Sequence, residues 1–238
     1  MGKSVEKAAS LKNLEIVSRI SPNNPEAEFK EINDEALKEA DVCIDFSHPK
    51  AVISNAKETM SRGKNLIIGT TDWYKDIDKI KKLSKKHNVG ILYAANFSLG
   101  VYLFAQILEH SSKLFQHFDE YDIAGLEAHH KKKIDSPSGT AKMLQNIILR
   151  NIQRKKKAIH HTHNKKILPE ELLFTSLRCG SDPGTHSIVF DSDIDTITLT
   201  HKARNREGFA NGAILAAKWI HGRSGLYTID DMMLEIIK

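Results

Sequence analysis

Hydrophobic and polar positions alternate along the first part of the chain in the order typical of repeated βα units. Short apolar runs, the pattern of buried strands, are separated by amphipathic segments with helical spacing. Repeated units of this length predict a parallel sheet with helices on both faces. The predicted strands are residues 14–20, 41–46, 65–71 and 89–95, and the predicted helices are 51–60 and 76–86.

The second part of the chain has a different pattern. A long apolar-periodic helix comes first, and three later strands alternate apolar and polar residues with hairpin spacing, which is typical of an antiparallel or mixed sheet. The chain then closes with two helices, the last one capped by Thr228. The predicted elements are helices at 99–117, 141–152, 209–220 and 229–237, strands at 121–128, 172–178, 185–190 and 194–201, and a polar loop at 154–171.

Composition indicates an ordinary globular protein. At 238 residues, with 40% apolar and 27% charged residues, the chain can bury a sizeable core. The formal charge is +5, but aromatic residues make up only 7% and do not interleave with the basic runs. The lysine pairs at 81–82 and 85–86 and the basic run 154–157 are therefore expected on solvated surfaces, and no nucleic-acid partner is predicted.

Cysteine and histidine positions argue against a metal or disulfide protein. Cys43 and Cys179 lie far apart in the sequence, and each is expected to be a buried free thiol in a reducing compartment. His160, His161 and His163 have no cysteine or carboxylate partner nearby, so a loop is favoured over a metal site. No apolar run approaches the length of a membrane span, and the chain is expected to be cytoplasmic.

Three predicted strand ends carry small or hydroxyl-bearing residues, at 46–49, 69–72 and 94–98. Any one of them alone is typical of a turn. Because ligands bind beyond the carboxyl ends of parallel strands, three such ends in register favour a nucleotide crevice.

The segment from Glu127 to Thr140 combines imidazole, ammonium and helix-start groups. His129 and His130 precede three lysines, and Ser138-Gly139-Thr140 opens a predicted helix. Imidazole titrates near neutrality, and backbone N–H groups at a helix start bind anions. A hydrogen-bonded histidine pair at a strand end is the alternative, but with Lys133 alongside, the pattern favours a site that holds a small polyanion and gives it a proton.

These residues also resemble a known family. Glu127-Ala128-His129-His130-x-x-Lys133-x-Asp135-x-Pro137-Ser138-Gly139-Thr140-Ala141 closely resembles the signature of 4-hydroxy-tetrahydrodipicolinate reductases. Residues 45–47, 69–71, 94–98 and 209–213 are similar to further segments of that family, in its order. The resemblance therefore spans nearly the whole chain.

The resemblance implies an enzyme of lysine and diaminopimelate biosynthesis that reduces a cyclic dicarboxylate with NADH or NADPH. It implies a Rossmann-like dinucleotide-binding domain at 1–97 and 207–238, an α+β substrate-binding and tetramerisation domain at 98–206, and a homotetramer. By the same resemblance, His129 would be the proton donor and acceptor, and Lys133 a second proton donor. The implied substrate-binding residues are His130, Gly139 and Thr140, and the implied cofactor-binding residues are Gly69, Thr70, Thr71, Ala94, Ala95, Asn96 and Phe97.

The sequence departs from the family pattern at its start. Family members begin with a buried strand and a Gly-x-x-Gly-x-Met-Gly loop, whereas this sequence starts at Met1-Gly2, which resembles the end of that loop followed by a helix. We expect the working protein to be longer upstream; a domain that truly lacks this strand and binds cofactor poorly is the rival interpretation. At 19–22, Arg19 is present and no acidic residue is, so the choice between NADH and NADPH stays open.

Two other functions remain as alternatives. An N-terminally truncated, non-catalytic remnant that binds anions or a partner would explain the absent glycine loop. A different nicotinamide enzyme of similar build would explain the sheet but not the spacing of His129, His130 and Lys133.

Overall fold

The computed structural model describes residues 1–162 and 164–237, and the chain divides into two compact units. The first unit contains residues 1–98 and the C-terminal segment from Glu207, and the second contains residues 99–206. Within the described residues, no helix is both long enough and apolar enough to cross a lipid bilayer.

The first unit is an α/β unit. Its strands are β1 (Val42–Asp45), β2 (Asn65–Ile68), β3 (Gly90–Tyr93) and β9 (Gly225–Thr228), and its helices are α1 (Gly2–Ser10), α2 (Asp34–Leu37), α3 (Val52–Ser61), α4 (Ile77–His87), α7 (Glu207–Ile220) and α8 (Ile229–Ile236), with a 3₁₀ turn at Tyr74–Asp76. The strands form a four-stranded parallel sheet in the order β1-β2-β3-β9. Helices α3 and α4 pack on apolar residues of β2 and β3, while α1 and α7 pack on Ile44 and Phe46.

The second unit combines a mixed sheet with two covering helices. Its elements are α5 (Leu99–Phe115), β4 (Asp122–His129), α6 (Gly139–Asn151), β5 (Lys157–Ile159), β6 (Glu171–Arg178), β7 (Thr185–Asp191) and β8 (Thr196–Lys202). The strands pair in the order β5-β6-β4-β7-β8, and the central strand β4 runs parallel to β6 and antiparallel to β7. Helices α5 and α6 cover one face of the sheet, and the core between them and the sheet includes Leu108, Leu144, Phe174 and Phe190. An α/β fold with one parallel and one mixed sheet is thus confirmed.

The strand predicted at residues 14–20 is wrong. Only Ile20 pairs with another segment, through a single bridge to Phe29. Leu14 and Ile16 instead pack against the cluster that α1 forms with α7. Alternating apolar residues can be buried by helices without a ladder of strand hydrogen bonds, and that explains why the pattern was misleading here.

The polar loop predicted at 154–171 is wrong in part, because residues 157–159 form β5 beside β6. The expectation that 154–157 is a solvated basic run is also wrong at its centre. Lys155 is only 3% exposed, and its Nζ lies 2.6 Å from an Asp122 carboxylate oxygen and donates to the Glu171 carbonyl at 2.9 Å. The pairs at 81–82 and 85–86 are exposed, as predicted.

Three further features differ from or lie outside the predictions. The short strand β9, at the sheet edge beside β3, was not predicted. Cys179 is exposed rather than buried, whereas Cys43 is half-buried and burial raises its pKa to about 11. His163, part of the histidine cluster predicted to be a loop, lies outside the described residues, as does Lys238.

Candidate functional site

The residues predicted to hold the cofactor come together at one edge of the parallel sheet. Gly69, Thr70 and Thr71 follow β2, and residues 94–97 follow β3. Because Ile68 pairs with Tyr93, the two segments leave the sheet side by side at its carboxyl edge. Thr71, Ala95 and Asn96 are partly or fully exposed there, whereas Thr70, Ala94 and Phe97 are buried.

A buried carboxylate organises this edge. Asp45, the last residue of β1, is 9% exposed and accepts hydrogen bonds from the Ser47 N–H at 2.7 Å and the Thr70 hydroxyl at 3.1 Å. Asn55 donates to its other oxygen at 3.0 Å. The Thr70 carbonyl in turn accepts from the Trp73 indole at 2.8 Å. Thr70 is therefore fixed from both sides, which leaves the turn that follows β2 rigid.

Close packing explains two glycines in this unit. A Cβ at Gly69 would overlap the Phe46 ring, and a Cβ at Gly212, on α7, would overlap the Phe97 carbonyl oxygen. Gly212 therefore allows α7 to lie directly against the segment that follows β3. From the sequence, Gly212 belongs to a segment that resembles the family. Its packing against residue 97 is visible only in the tertiary structure.

The edge of the parallel sheet fits a nicotinamide cofactor in its composition. Small residues such as Ala95 let a flat ring approach the backbone, and Asn96 and Thr71 bring polar groups to the same edge. Elsewhere in this unit, Arg19 forms ion pairs with Glu6 and Glu28, at 3.0 and 2.5 Å. Its guanidinium is thus already paired with carboxylates.

The residues predicted to hold and protonate the substrate are all in the second unit, around the end of β4. His129 is the last residue of β4 and is 7% exposed. The loop that follows is tied to the β6–β7 turn, because the His130 N–H donates to the Asp182 carbonyl at 2.8 Å and the Cys179 N–H donates to the His129 carbonyl at 2.9 Å. Lys133 forms an ion pair with Asp135 at 2.7 Å.

Ser138-Gly139-Thr140, which the sequence predicts to bind an anion, lie at the start of α6. Ser138 is the N-cap, and its hydroxyl accepts the Ala141 N–H at 3.1 Å. A Cβ built on Gly139 would meet nothing within 4 Å, so the space beside the first turn is open. N–H groups in the first turn of a helix lack intrahelical acceptors and carry partial positive charge, and this suits a carboxylate.

A buried carboxylate that sequence reasoning did not assign lies beneath these residues. Glu127 is fully buried, and its Oε1 accepts hydrogen bonds from the Ser138 N–H at 2.9 Å, the Ser176 hydroxyl at 2.7 Å and the Arg178 guanidinium at 2.8 Å. Its Oε2 lies 3.3 Å from His129 Nδ1 and 3.6 Å from His186 Nε2. Ser176, Arg178 and His186 were likewise missed, because strand register alone brings them beside Glu127.

Electrostatics keep Glu127 charged and His129 neutral in the unliganded protein. Burial alone would raise the pKa of Glu127, but His186 and the donors Ser138, Arg178 and Ser176 outweigh it and hold that pKa far below its usual range. Burial lowers the pKa of His129 to about 4. Glu127 opposes that decrease, while His186, Lys133 and Arg178 add to it.

Glu127, His129 and His186 offer ligand atoms within 4.8 Å of one another, which is close enough for a cation. The charge of Glu127 is already matched by Arg178, and His186 Nε2 also lies 3.3 Å from the Ser138 hydroxyl. A divalent ion would add charge beside an existing guanidinium. The cluster is therefore better described as a hydrogen-bonded network than as a metal centre.

Two family models match consecutive parts of the chain. The family model described as "Dihydrodipicolinate reductase, N-terminus" matches residues 1–97, and "Dihydrodipicolinate reductase, C-terminus" matches residues 100–233. The chain belongs to the dihydrodipicolinate reductase family. The family resemblance stated from the sequence is thus confirmed.

Curated relatives cover the chain from end to end. The 4-hydroxy-tetrahydrodipicolinate reductase of Christiangramia forsetii is 33% identical over all of this chain and 95% of its own length. The enzyme of the same name from Rickettsia bellii is 36% identical over all of this chain and 92% of its own length. Both matches thus include the segments that hold the candidate cofactor and substrate residues.

Solved structures share the fold. The dipicolinate-bound dihydrodipicolinate reductase from Paenisporosarcina sp. TG-14 aligns with a TM-score of 0.72 and 22% identity, covering 95% of this chain and 92% of that one. A probable dehydrogenase from Thermotoga maritima aligns with a TM-score of 0.57 and 8% identity, covering 97% of this chain and 89% of that one. These similarities confirm the α/β fold of the chain.

Proposed function

We propose that this chain reduces 4-hydroxy-tetrahydrodipicolinate to tetrahydrodipicolinate with NADH or NADPH, in lysine and diaminopimelate biosynthesis. Membership of the reductase family makes it an NAD(P)H-dependent oxidoreductase. The observation that carries the proposal is the arrangement around β4. Glu127 accepts the Ser138 N–H at the start of α6, His129 Nδ1 lies 3.3 Å from the same carboxylate, and Lys133 lies in the loop between β4 and α6. The same unit thus offers proton donors and an anion-binding helix start.

His129 and Lys133 supply protons in this proposal. In the overall reaction the ring hydroxyl would leave as water, and a hydride from the nicotinamide and one proton would be added across the double bond that this loss creates. Hydride addition leaves excess negative charge on the neighbouring atom, which is where the proton is needed. Burial keeps His129 neutral in the free protein. A substrate with two carboxylates brings negative charge, which favours the imidazolium form, and His129 then becomes an acid where it is needed. Lys133 would exchange its ion pair with Asp135 for contact with the substrate.

Gly139, Thr140 and His130 bind the substrate carboxylates in this proposal. The open space at Gly139 allows an anion to reach the backbone at the first turn of α6, where N–H groups and the helix dipole attract negative charge. Thr140 adds a hydroxyl beside it. The His130 backbone is fixed to the Asp182 carbonyl, so its imidazole starts from a defined position.

The residues after β2 and β3 line the nicotinamide cofactor in this proposal: Gly69, Thr70, Thr71, Ala94, Ala95, Asn96 and Phe97. Residues 1–97 and 207–238 would thus act as the dinucleotide-binding domain, and residues 98–206 as the substrate-binding and assembly domain. Support comes from the rigid turn around Thr70 and from the exposed polar edge of the parallel sheet.

A homotetramer assembled through the mixed sheet is part of the proposal. The face of this sheet away from α5 and α6 exposes Leu126 on β4 and Leu177 on β6, with 43% and 52% of their surface accessible. Register places them close together, since Ala128 pairs with Leu177. A second copy of the chain would bury these leucines. Light scattering should give four times the chain mass, and Leu126→Glu should reduce it; a monomeric wild type contradicts this assembly.

We place the enzyme in the cytoplasm. The reaction consumes a reduced nicotinamide cofactor, and both cysteines of the chain are free thiols. Cys179 is exposed, which suits a reducing compartment. Fractionation of cells that express a tagged chain would test this location; recovery with the periplasmic fraction contradicts it.

Cofactor oxidation followed at 340 nm, with the cyclic substrate generated in the same cuvette, tests the activity directly. The proposal expects substrate-dependent oxidation of NADH or NADPH. Absence of turnover, combined with retained binding of dipicolinate, would favour the non-catalytic remnant. Oxidation that depends on a different carbonyl or imine substrate would favour another nicotinamide enzyme.

A further inference from the structure

Glu127 carries no role in the reaction described above, although its carboxylate lies between the proton donor and the anion-binding helix. It is fully buried, and its Oε1 accepts three hydrogen bonds, from Ser138, Ser176 and Arg178. Donors from α6 and from β6 thus hold one oxygen in place. A carboxylate fixed in this way presents its second oxygen in a defined direction.

The second oxygen lies beside two imidazole rings and is closer to that of His129 than to that of His186. Glu127 Oε2 and His129 Nδ1 lie 3.3 Å apart, and neither atom has a hydrogen-bond partner among the described residues. Two buried polar atoms left this close together are costly unless they pair. Hydrogen bonds in active sites are often long before substrate binds and shorten in the complex. A small rotation of the ring would complete this one.

The opposite end of the His129 ring has different surroundings. A Cβ at Gly184 would lie 3.0 Å from His129 Nε2, and Gly184 has a φ of 147°, which favours glycine. Gly184 thus leaves room for the imidazole beside the β6–β7 turn. If Nδ1 pairs with Glu127, Nε2 is the nitrogen that remains for proton exchange.

We propose that Glu127 is a positioning residue: its Oε2 accepts the Nδ1–H of His129 and fixes the tautomer in which Nε2 exchanges protons with the substrate. Through Oε1 it also holds the Ser138 N–H, so one carboxylate sets both the imidazole and the start of α6. This inference rests on the proposed role of His129 as proton donor. Its geometric part, the tautomer, can be tested without that role.

Charged groups on several elements face His129, and they set the expected pH effect. Glu127 on β4 favours the imidazolium, while Arg178 on β6, Lys133 in the following loop and His186 on β7 disfavour it when charged. Asp182 in the β6–β7 turn also interacts with His129. Without the negative charge of Glu127, most of the charged groups that face His129 are cations. The pKa of His129 then falls, and the imidazolium becomes harder to form.

Glu127→Gln separates the roles of the two carboxylate oxygens. The amide oxygen can still accept from Ser138, Ser176 and Arg178, but its NH₂ group can only donate toward His129 Nδ1. The ring is then forced into the wrong tautomer. We expect kcat to fall by about 10²-fold or more, KM to change by less than about threefold, and the alkaline limb of kcat to move to lower pH.

Ser176→Ala is the matched control. It removes one donor to Oε1 and leaves the contact between Oε2 and His129 untouched. It should lower stability and activity much less than Glu127→Gln, with the alkaline limb of the pH profile in place. If Glu127 has only a structural role in the sheet, both variants lose stability and neither shifts the alkaline limb of the kcat profile. That result overturns the proposal.

The tautomer of His129 in the wild-type protein is decisive where a variant does not fold. Nitrogen-15 chemical shifts of histidine-labelled protein, assigned with His129→Gln, should show the proton on Nδ1 at pH 7. A proton on Nε2 overturns the proposal. If His129→Gln keeps full activity, the proton-donor role fails instead, and the tautomer still decides whether Glu127 orients the ring.

Discussion

The parallel sheet and the mixed sheet of this chain present their polar residues in different ways. In the parallel sheet, the candidate cofactor residues lie in the two turns that follow β2 and β3. Backbone atoms of these turns form much of the candidate cofactor site. In the mixed sheet, the polar side chains lie within the strands, on the face that α5 and α6 cover. Glu127, Ser176 and His186 occupy positions that apolar residues fill elsewhere on the same face.

The difference follows from what each site has to do. A cofactor edge needs small residues and accessible backbone, so that a large planar ligand can approach. A proton donor needs a fixed imidazole whose pKa is set by its surroundings, which requires buried charges matched to one another. In the parallel-sheet unit, substitutions at closely packed glycines such as Gly212 should therefore cost most in stability, whereas in the mixed sheet substitutions at polar side chains such as His129 should cost most in turnover.

The largest expected effect is on turnover, in the mixed sheet. His129→Gln and Lys133→Ala should each lower kcat by about 10²-fold or more, because each removes a group that we propose donates a proton. Cofactor affinity, measured by fluorescence titration of NADH, should stay within about twofold. Lys132→Ala, which changes an exposed lysine of the same run, is the matched control and should behave as wild type. Wild-type turnover in either donor variant would falsify its assigned role.

A loss of stability is expected next, from a glycine of the parallel-sheet unit. Gly212→Ala places a Cβ onto the Phe97 carbonyl oxygen, and backbone cannot move aside cheaply. The free energy of unfolding in urea should fall by about 2–3 kcal/mol. Gly2→Ala, whose Cβ meets nothing within 4 Å, is the control and should be neutral. Equal stability of the two variants would show that α7 and residue 97 are less closely packed than described.

Acid should destabilise the mixed sheet through His129. Its pKa is about 4 in the folded chain and near 6.5 when exposed, so between these values the unfolded chain binds a proton that the folded chain does not. The free energy of unfolding should therefore decrease as pH falls from 6.5 to 4, by about 1–3 kcal/mol.

His129→Gln should make that decrease smaller without abolishing it. Burial also lowers the pKa of His201 on β8, so His201 retains a contribution of the same sign. The depressed pKa of Glu127 adds a further loss of stability below pH 4.5. Urea unfolding at several pH values measures the slopes, and identical slopes for wild type and variant contradict the buried neutral imidazole.

The smallest effect is expected at the start of α6. Gly139→Ala meets no steric obstacle, and alanine is a better helix former than glycine, so the thermal midpoint should stay the same or rise slightly. If a substrate carboxylate occupies the open space there, affinity for dipicolinate should fall about fivefold to tenfold, or about 1 kcal/mol. Unchanged affinity would place the carboxylate elsewhere.

Local patterns in the sequence were sufficient for most helices and strands. The apolar runs at β1, β2 and β3 and the periodic segments at α4 and α6 each have a strong signal of their own. The capping box of Thr228 and Asp231 starts α8 as predicted. The strand predicted at residues 14–20 was wrong because the alternating apolar residues there pack on helices. Strands β5 and β9 were missed because a short edge strand takes its conformation from the strand beside it.

Neighbours along the chain were enough to predict the fold class, the family and a polyanion site between Glu127 and Thr140. The residues from other strands that surround His129 became visible only in the folded chain. Glu127, Ser176, Arg178 and His186 come together through the pairing of three strands, over separations of up to 59 residues between Glu127 and His186 (186 − 127). The register between strands that are distant in the sequence leaves no pattern in the local sequence. A glutamate that will be buried therefore cannot be told from an exposed one until the residues that donate to it are known.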